Sequence, residues 1–551
     1  MPRAAILVLL WTVFVGILQL MITNLALLVL MSGVLPFIKL PSAIIIYCAS
    51  FALVYMFYPL SGYFADVYCG RFRIIVGSLA LLLFIPIFCV IFYALSLLLN
   101  LTHLWKFFLG SAGLVCTLVT VIGVAGYDAN FIQFGLDQLL EAPSQHQALF
   151  VHWAKWCMDF MSVVILFIGV YVEVCLDDNW IVKMTCVLSL ILVFELALAV
   201  LLIIGCWKRR WFYSEPAGHH NPCKTVVKVL NFARKYSYAL QRSAFTYCDD
   251  ERPSRLDFAK ERFGGPFTTE QVEDVKTFFR IVLILLAIGP IFILDAPTSA
   301  ALFAFMGVHV GPSDPPLCEW SWIIVNTGLL RYIVSTLFLP VYSYIIFTLL
   351  HKRVPKIFWR LGFGILLYFL GGLSMFFVDV IGHVQYQRND TQCIVLYSDS
   401  YAYTTSLGMH WAVFIPSNVL VGIGPALVTV SIFEFISAQS PHSMKGLLLG
   451  TYFAITGVYQ LISSVALVPF ISNKFQPNVR YPPHTGCLFG YSLYVCAIAL
   501  IGFILYIVAA KHYRYRERED RPYDQRFVID IYNRYLNGVH DYGLCSDSET
   551  Q

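Results

Sequence analysis

The sequence predicts an all-α membrane protein of twelve spanning helices arranged as two six-helix bundles. Three observations predict it. The 551 residues are 59% hydrophobic and only 13% charged, and the mean hydropathy of +0.72 lies well outside the range of a soluble domain. Apolar stretches of the roughly 20 residues needed to cross a hydrocarbon core recur along the whole chain. The one long polar stretch, 207–276, falls between the sixth and the seventh of them. Lipid offers the backbone no hydrogen-bond partners, so every span must be a helix or part of a closed barrel.

The first stretch, about 5–37, follows Met1-Pro2-Arg3 at once and has no small-residue cleavage site, so it reads as span 1 rather than a signal peptide. Spans 2 and 3 occupy about 42–64 and 74–98. Spans 4, 5 and 6 follow at about 104–127, 148–172 and 181–206 and complete the first bundle, 1–206. After the linker 207–276 come spans at about 277–299, 321–350, 357–381, 410–436, 444–470 and 488–510, the second bundle, 277–510. The tail, 511–551, opens with the mixed charge run KHYRYRERED, which reads as a solvated helix end near lipid head groups.

Charge sets the expected topology. With the N-terminus inside, most of the 37 Lys and Arg residues lie on the inner side. Lys39, Lys106, Lys183, Arg388, Lys474 and Arg480 fall outside, while Lys155 and Arg331 lie within spans. The two Asn-x-Ser/Thr sequons, at Asn100 and Asn389, both fall in outer loops, as glycosylation requires. The fifteen cysteines show no metal-ligand spacing, and Cys318, Cys393 and Cys487 share one side, which would permit one disulfide. Two six-helix bundles around a central cavity are the major facilitator architecture.

The most informative segment is the turn GYFADVYCGRFRII between spans 2 and 3, with Gly62, Asp66, Gly70, Arg71 and Arg73. Its glycines allow close approach of helix backbones. Its charges suit an inner gate held in one of two states, with Asp66 expected to meet Arg71 and Arg73. Four more segments join it: NFIQFGLDQ from Asn130, GGPFTTEQVEDVK from Gly264, LFLPVYSY from Leu337, and FEFISAQSPHSMKG from Phe433 with Glu434 and Lys445.

Together and in this order, the five segments resemble signatures of the proton-dependent oligopeptide transporter family, solute carrier family 15 type. They look closest to its peptide/histidine and plant nitrate/peptide branches. The resemblance implies uptake of di- and tripeptides, and in some members histidine or nitrate, by proton symport and alternating access. It implies no cofactor other than the coupling proton, and it places Glu434 and Lys445 in the inner gate.

Measured against the family's pattern, three charges are missing. The helix 1 motif Glu-x-x-Glu-Arg is replaced by the uncharged WTVFVGILQL. The helix 4 lysine is replaced by Asp128, and the helix 10 glutamate by Pro425. Other charges stand inside spans, each costing about 2.5–3.5 kcal/mol to place at mid-bilayer. Lys155 and Asp159 lie four apart on one face of span 5. The expectation is a rearranged cavity in which Lys155 supplies the lost cation and Asp128 and Asp159 the lost carboxylates. The bland alternative is a plain intrahelical pair. Asp295 in span 7 and Arg331 in span 8, five residues after Asn326, form a second candidate pair, as a clamp or an outer gate. Glu195 is expected in a helix–helix polar contact, and Asp379 near a helix end. His152 and His410 are of the residue type that titrates near neutral pH, but a lone histidine is more often a local hydrogen-bond partner. Tyr47, Tyr55 and Tyr58 are of a type that can line a peptide pocket, with helix packing and interfacial belts as the plainer reading.

No phosphate loop, metal cluster or nucleophile elbow points to an enzyme, and nothing points to nucleic acid. The expected partners are the lipid bilayer and a small-molecule or peptide substrate, at the plasma or endolysosomal membrane with both termini cytoplasmic. Two alternatives stand beside symport: a facilitative carrier of another small organic solute or a nitrate-like anion, and a transport-dead receptor or scaffold.

Overall fold

The computed structural model describes residues 2–34, 55–84, 119–140, 142–174, 180–213, 221–235, 254–261, 264–294, 329–349, 354–387, 394–396, 404–406, 411–471 and 488–516. The helices within the predicted spans are α1 (Arg3–Val34), α2 (Tyr58–Phe64), α3 (71–84), α4 (119–128), α5 (Ser144–Val174) and α6 (Trp180–Trp207). They continue as α7 (Thr269–Ile288), α8 (Leu329–Tyr344), α9 (Ile357–Gln387), α10 (Ile415–Gln439), α11 (Lys445–Ile471) and α12 (Leu488–His512). Eight of the described helices, α5 to α12, are long and apolar enough to cross a membrane. A short antiparallel hairpin, β1 (Ile394–Leu396) with β2 (Thr404–Ser406), lies between α9 and α10.

Within the first half α1 packs on α5 and α6, and within the second α9 packs on α10 and α12, and α12 on α7. Large apolar side chains fill these contacts: Trp11, Phe150, Tyr368 and Phe433 are fully buried. Lipid-facing positions carry the complementary residues, with Leu196, Ile203, Leu283 and Ile501 exposed. The halves touch where α2 meets α11 and where α5 meets α8 and α10.

Span 2 is followed by a π-helical turn, Ala65–Cys69, that Gly70 stops. Gly70 has φ 77, a conformation that costs glycine little and other residues much. The chain thus leaves α2 and enters α3 within one residue.

The linker is more than the polar spacer its composition suggests. Its described part holds an amphipathic helix, Pro222–Lys235, whose Val226, Val229 and Phe232 pack with Leu256, Ala259, Phe267, Val272 and Val275 in a small apolar core. The GGPFTTEQVEDVK segment builds this core. Thr268 and Gln271 form a capping box, so α7 begins at Thr269, ahead of the predicted 277. Lys260 and Lys276 both bridge Asp257 and Glu273 at 2.5–3.1 Å. Burial opposes the charge on Asp257, yet these lysines and Ser254 hold its carboxyl well below the usual carboxylate range. Its contribution to stability is therefore present at any pH above about 4 and is lost only in stronger acid. Val272→Asp is expected to open this core at a cost of about 3 kcal/mol. Trypsin should then cut the linker several-fold faster than in the wild type, and an unchanged cleavage rate would refute the packing role.

Candidate functional site at the bundle interface

The contact between α2 and α11 is made by backbone. A Cβ built on Gly62 would lie 2.1 Å from the Gly446 carbonyl oxygen, and one on Gly450 would lie 2.4 Å from the Tyr58 carbonyl oxygen. Only glycines allow the helices so near. Beside this crossing, Asp66 accepts from Arg71 at 3.3 Å and from the Leu447 backbone N–H at 3.0 Å. Arg71 also bridges to Asp137 at 2.5 Å, so one buried guanidinium serves two buried carboxylates. Burial pushes the Asp66 carboxyl up to about 6, against the pull of Arg71 and the Leu447 and Gly446 amides.

The turn's two arginines do not act together. Arg73 is exposed, whereas Arg71 is buried. Two residues apart on α3 places them about 200° apart around its axis, so only one can face Asp66. The NFIQFGLDQ segment supplies the floor of the contact. Asn130 donates to the Gly126 carbonyl and to Ser61, and Gln133 donates to Ser437 across the interface at 2.8 Å. Lys445 is buried at the start of α11. Asn221 of the linker donates to Tyr63 at 2.6 Å, so the linker lies at this same end, called here the linker end.

The second contact runs along one face of α5. Lys155 pairs with Asp159, and Asp159 accepts from Ser335 of α8 at 2.5 Å. Trp156 donates to the Thr336 carbonyl at 3.0 Å. Nearer the linker end, His152 meets Ser343 of α8 at 2.7 Å and Glu434 of α10 at 3.0 Å. Glu434 accepts from Arg360 of α9 at 2.6 and 3.3 Å. The Lys155–Asp159 pair is therefore not merely intrahelical: through Ser335 it ties the two halves.

Sequence reasoning missed His152 and Arg360. His152 was read as a local partner, and its bond to Glu434 spans the interface. Arg360 carries no sequence signal that would single it out from the other inner-side charges. The legible signal was the 152, 155–156, 159 spacing, which puts all these side chains on one helix face.

Other expected residues are placed elsewhere. Asp128 accepts from Tyr58 of α2 at 3.0 Å. Among the described residues it makes no ion pair, so Lys155 does not serve it: Lys155 is engaged one turn along its own helix by Asp159. Tyr58 stacks on Tyr55 at 5.4 Å, and Tyr127, next to Asp128, bonds Thr12 of α1 at 2.9 Å. Arg331 donates to Tyr332 at 2.7 Å, with its guanidinium 4.5 Å from that ring. Asp295, Asn326, Asn100, Asn389, His410, Tyr47, Cys318, Cys393 and Cys487 lie outside the described residues, as does the side chain of Asp379. Glu195 is buried, and among the described residues its Oε2 has no hydrogen-bond partner. Among the described residues no cluster of His, Cys, Asp and Glu is arranged to hold a metal ion.

Comparison with known proteins adds four findings. The family profile PTR2, described as the POT family, matches residues 111–479. Solute carrier family 15 member 3 of Mus musculus is 21% identical over 518 residues, covering 86% of this chain and 84% of that protein. The crystal structure of an auto inhibited POT family peptide transporter superposes with a TM-score of 0.63 at 16% identity, covering 94% of this chain and 98% of that one. A bacterial homologue of the iron transporter ferroportin also superposes, with a TM-score of 0.54 at 11% identity over 92% of this chain and 99% of that one. The fold likeness is thus broader than one family, and the profile match is what narrows it.

Proposed function

The chain belongs to the POT family, a family of transporters built on the major facilitator fold, and on that premise we propose that it carries di- or tripeptides, or histidine-like solutes, by proton symport. Alternating access between 1–206 and 277–510 moves the substrate, with 207–276 as a linker and 511–551 as a tail. The linker end is the cytoplasmic end. Gly62, Asp66, Gly70 and Arg71, with Glu434 and Lys445, form its gate, here closed, and Arg73 lies at its edge. Asp128, Lys155 and Asp159 belong to the coupling machinery, as do Arg331, Asp295 and Asn326 toward the outer side.

One observation carries this reading. Among the described residues, the two halves meet at the linker end through close backbone crossings and paired polar groups, with the aromatic contact of Tyr58 on Phe453 beside them. Such a contact can part and re-form without exposing a large apolar surface to water, which a gate must do in every cycle.

The test is uptake of labelled dipeptide and of histidine into proteoliposomes, with and without an inward proton gradient. Saturable, gradient-stimulated uptake is expected. Lys155→Ala leaves the Asp159 carboxylate buried without its cation, and Asp159→Ala strands the lysine. Each is expected to lower uptake about tenfold or more, equivalent to roughly 1.4 kcal/mol on the barrier. Wild-type rates in both variants would remove these residues from the machinery. No saturable uptake by the wild type would favour the receptor or scaffold reading, which the missing helix 1 charges and Pro425 support.

A further inference from the structure

The partners of His152 bear on how many protons the ring carries, because each ring nitrogen faces an oxygen. Ser343 Oγ donates its only proton to the Leu339 carbonyl at 2.8 Å. Toward His152 the same oxygen must therefore accept, so Nδ1 carries a hydrogen. On the other side, Glu434 is engaged by both Nη atoms of Arg360, as an acceptor-only carboxylate would be. Nε2 must then carry a hydrogen as well. A ring that donates from both nitrogens is an imidazolium.

We propose that His152 is the proton-carrying residue of the transport cycle, holding a proton while the cytoplasmic end is closed and releasing it when that end opens. The proposal rests on the symport reading above and names the site for it in a chain whose helix 1 carries none of the expected charges. The asymmetry of the network gives the direction. Glu434 and Arg360 stand on α10 and α9 and stay together when the halves part. His152, on α5, loses both of its acceptors at once. Water then meets the ring, the Nε2–H bond breaks, and the proton passes to that water and on to the cytoplasm. Release on the side that has just opened is the sense needed for delivery inside.

The groups that face His152 support this assignment. From α10 comes Glu434, from α9 Arg360 by way of Glu434, and from α8 Ser343. The Tyr342 ring stacks on the imidazole at 5.4 Å and Phe347 lies at 5.2 Å. On its own helix the nearest charge, Lys155, is taken up by Asp159. The ring is 1% exposed, so bulk water does not reach it in this state.

The experiment reads the gate and transport separately, in the full chain reconstituted in liposomes. Spin labels on genetically encoded ketone residues at the exposed positions Tyr68 and Trp359 report the distance across the linker end without substrate. An Asp66→Asn background keeps the acceptor for Leu447 and removes the acid that reaches α11, leaving Asp137 paired with Arg71. In that background the closed population is expected to grow as pH falls, with one midpoint. His152→Gln should abolish this dependence, and Ser343→Ala should lower the midpoint by about half a unit or more, each with the thermal unfolding midpoint as a folding control. His152→Gln in the otherwise native chain should lose gradient-driven accumulation at least tenfold. An unchanged midpoint in His152→Gln overturns the proposal. So does a uniform loss of closure that keeps its pH dependence, which would mark a structural role only. If the wild type transports nothing while its gate titrates through His152, the symport reading falls and the protonation site stands.

Discussion

Gly62→Leu is expected to reduce uptake by about a hundredfold or more, with the protein still delivered to the membrane. The side chain would have to occupy the space of the Gly446 carbonyl, 2.1 Å from the position of its Cβ, and that of the Leu447 nitrogen at 2.9 Å. Both obstacles are backbone atoms at the start of α11, which no rotamer change can move. The closed state of the linker end is lost, while the rest of each half, which packs on itself, is untouched. A carrier that cannot close one side cannot reload from the other, so the loss falls on turnover. A hundredfold loss is equivalent to about 2.7 kcal/mol, a modest figure for a clash with main chain. The Tyr68–Trp359 distance should shift to its open value at every pH. Near-normal uptake by Gly62→Leu would show that this crossing does not re-form during transport.

Arg71→Ala is expected to have the largest effect on stability. It leaves Asp66 and Asp137 both buried and without a cation, and removing one member of such a pair typically costs about 3–5 kcal/mol. The thermal unfolding midpoint in detergent should fall by many degrees. Adding Asp137→Asn should restore part of the loss, because one stranded charge is gone. Acid should restore part as well, and the sign follows from Asp66. Its carboxyl stands at about 6 in the folded protein against roughly 3.9 when free. The folded protein therefore binds this proton more tightly than the unfolded chain does, so charge on Asp66 penalises folding at neutral pH. The penalty falls away as pH drops through 6 toward 4. Without Arg71 it is larger, so the variant should gain more from acid than the wild type. If Arg71→Ala unfolds at the wild-type temperature, the buried pairing contributes little.

The fold was legible because spanning helices are written in local composition. Each apolar stretch announces its helix, and Gly70 announces the tight turn between α2 and α3. Thr268 and Gln271 also carried a legible capping box, yet the start of α7 was placed later because its first turns are polar and belong to the linker's small core. The spacing of Val226, Val229 and Ala233 on one helix face was there to be read. What local pattern does not encode is which distant helix a charge will meet. Glu434 and His152 are 282 residues apart, and Gln133 and Ser437 304 apart. Asp128 likewise looked like one half of an ion pair, and its partner proved to be the phenol of Tyr58. Periodicity gives the face a residue occupies, whereas its partner depends on how the bundles pack.

The bond from the Leu447 amide to Asp66 has a consequence for α11 itself. The helix begins at Lys445, so Leu447 carries one of the first-turn amides that have no acceptor within their own helix. Asp66 supplies that acceptor from the other half of the molecule, and its carboxylate also suits the positive end of the helix dipole. The cap is lent across the interface, and parting the halves withdraws it. The first turn of α11 must then fray or turn to solvent each time the protein opens. Hydrogen–deuterium exchange at the amides of Gly446 and Leu447 would thus count openings directly, in native protein that carries no label at all.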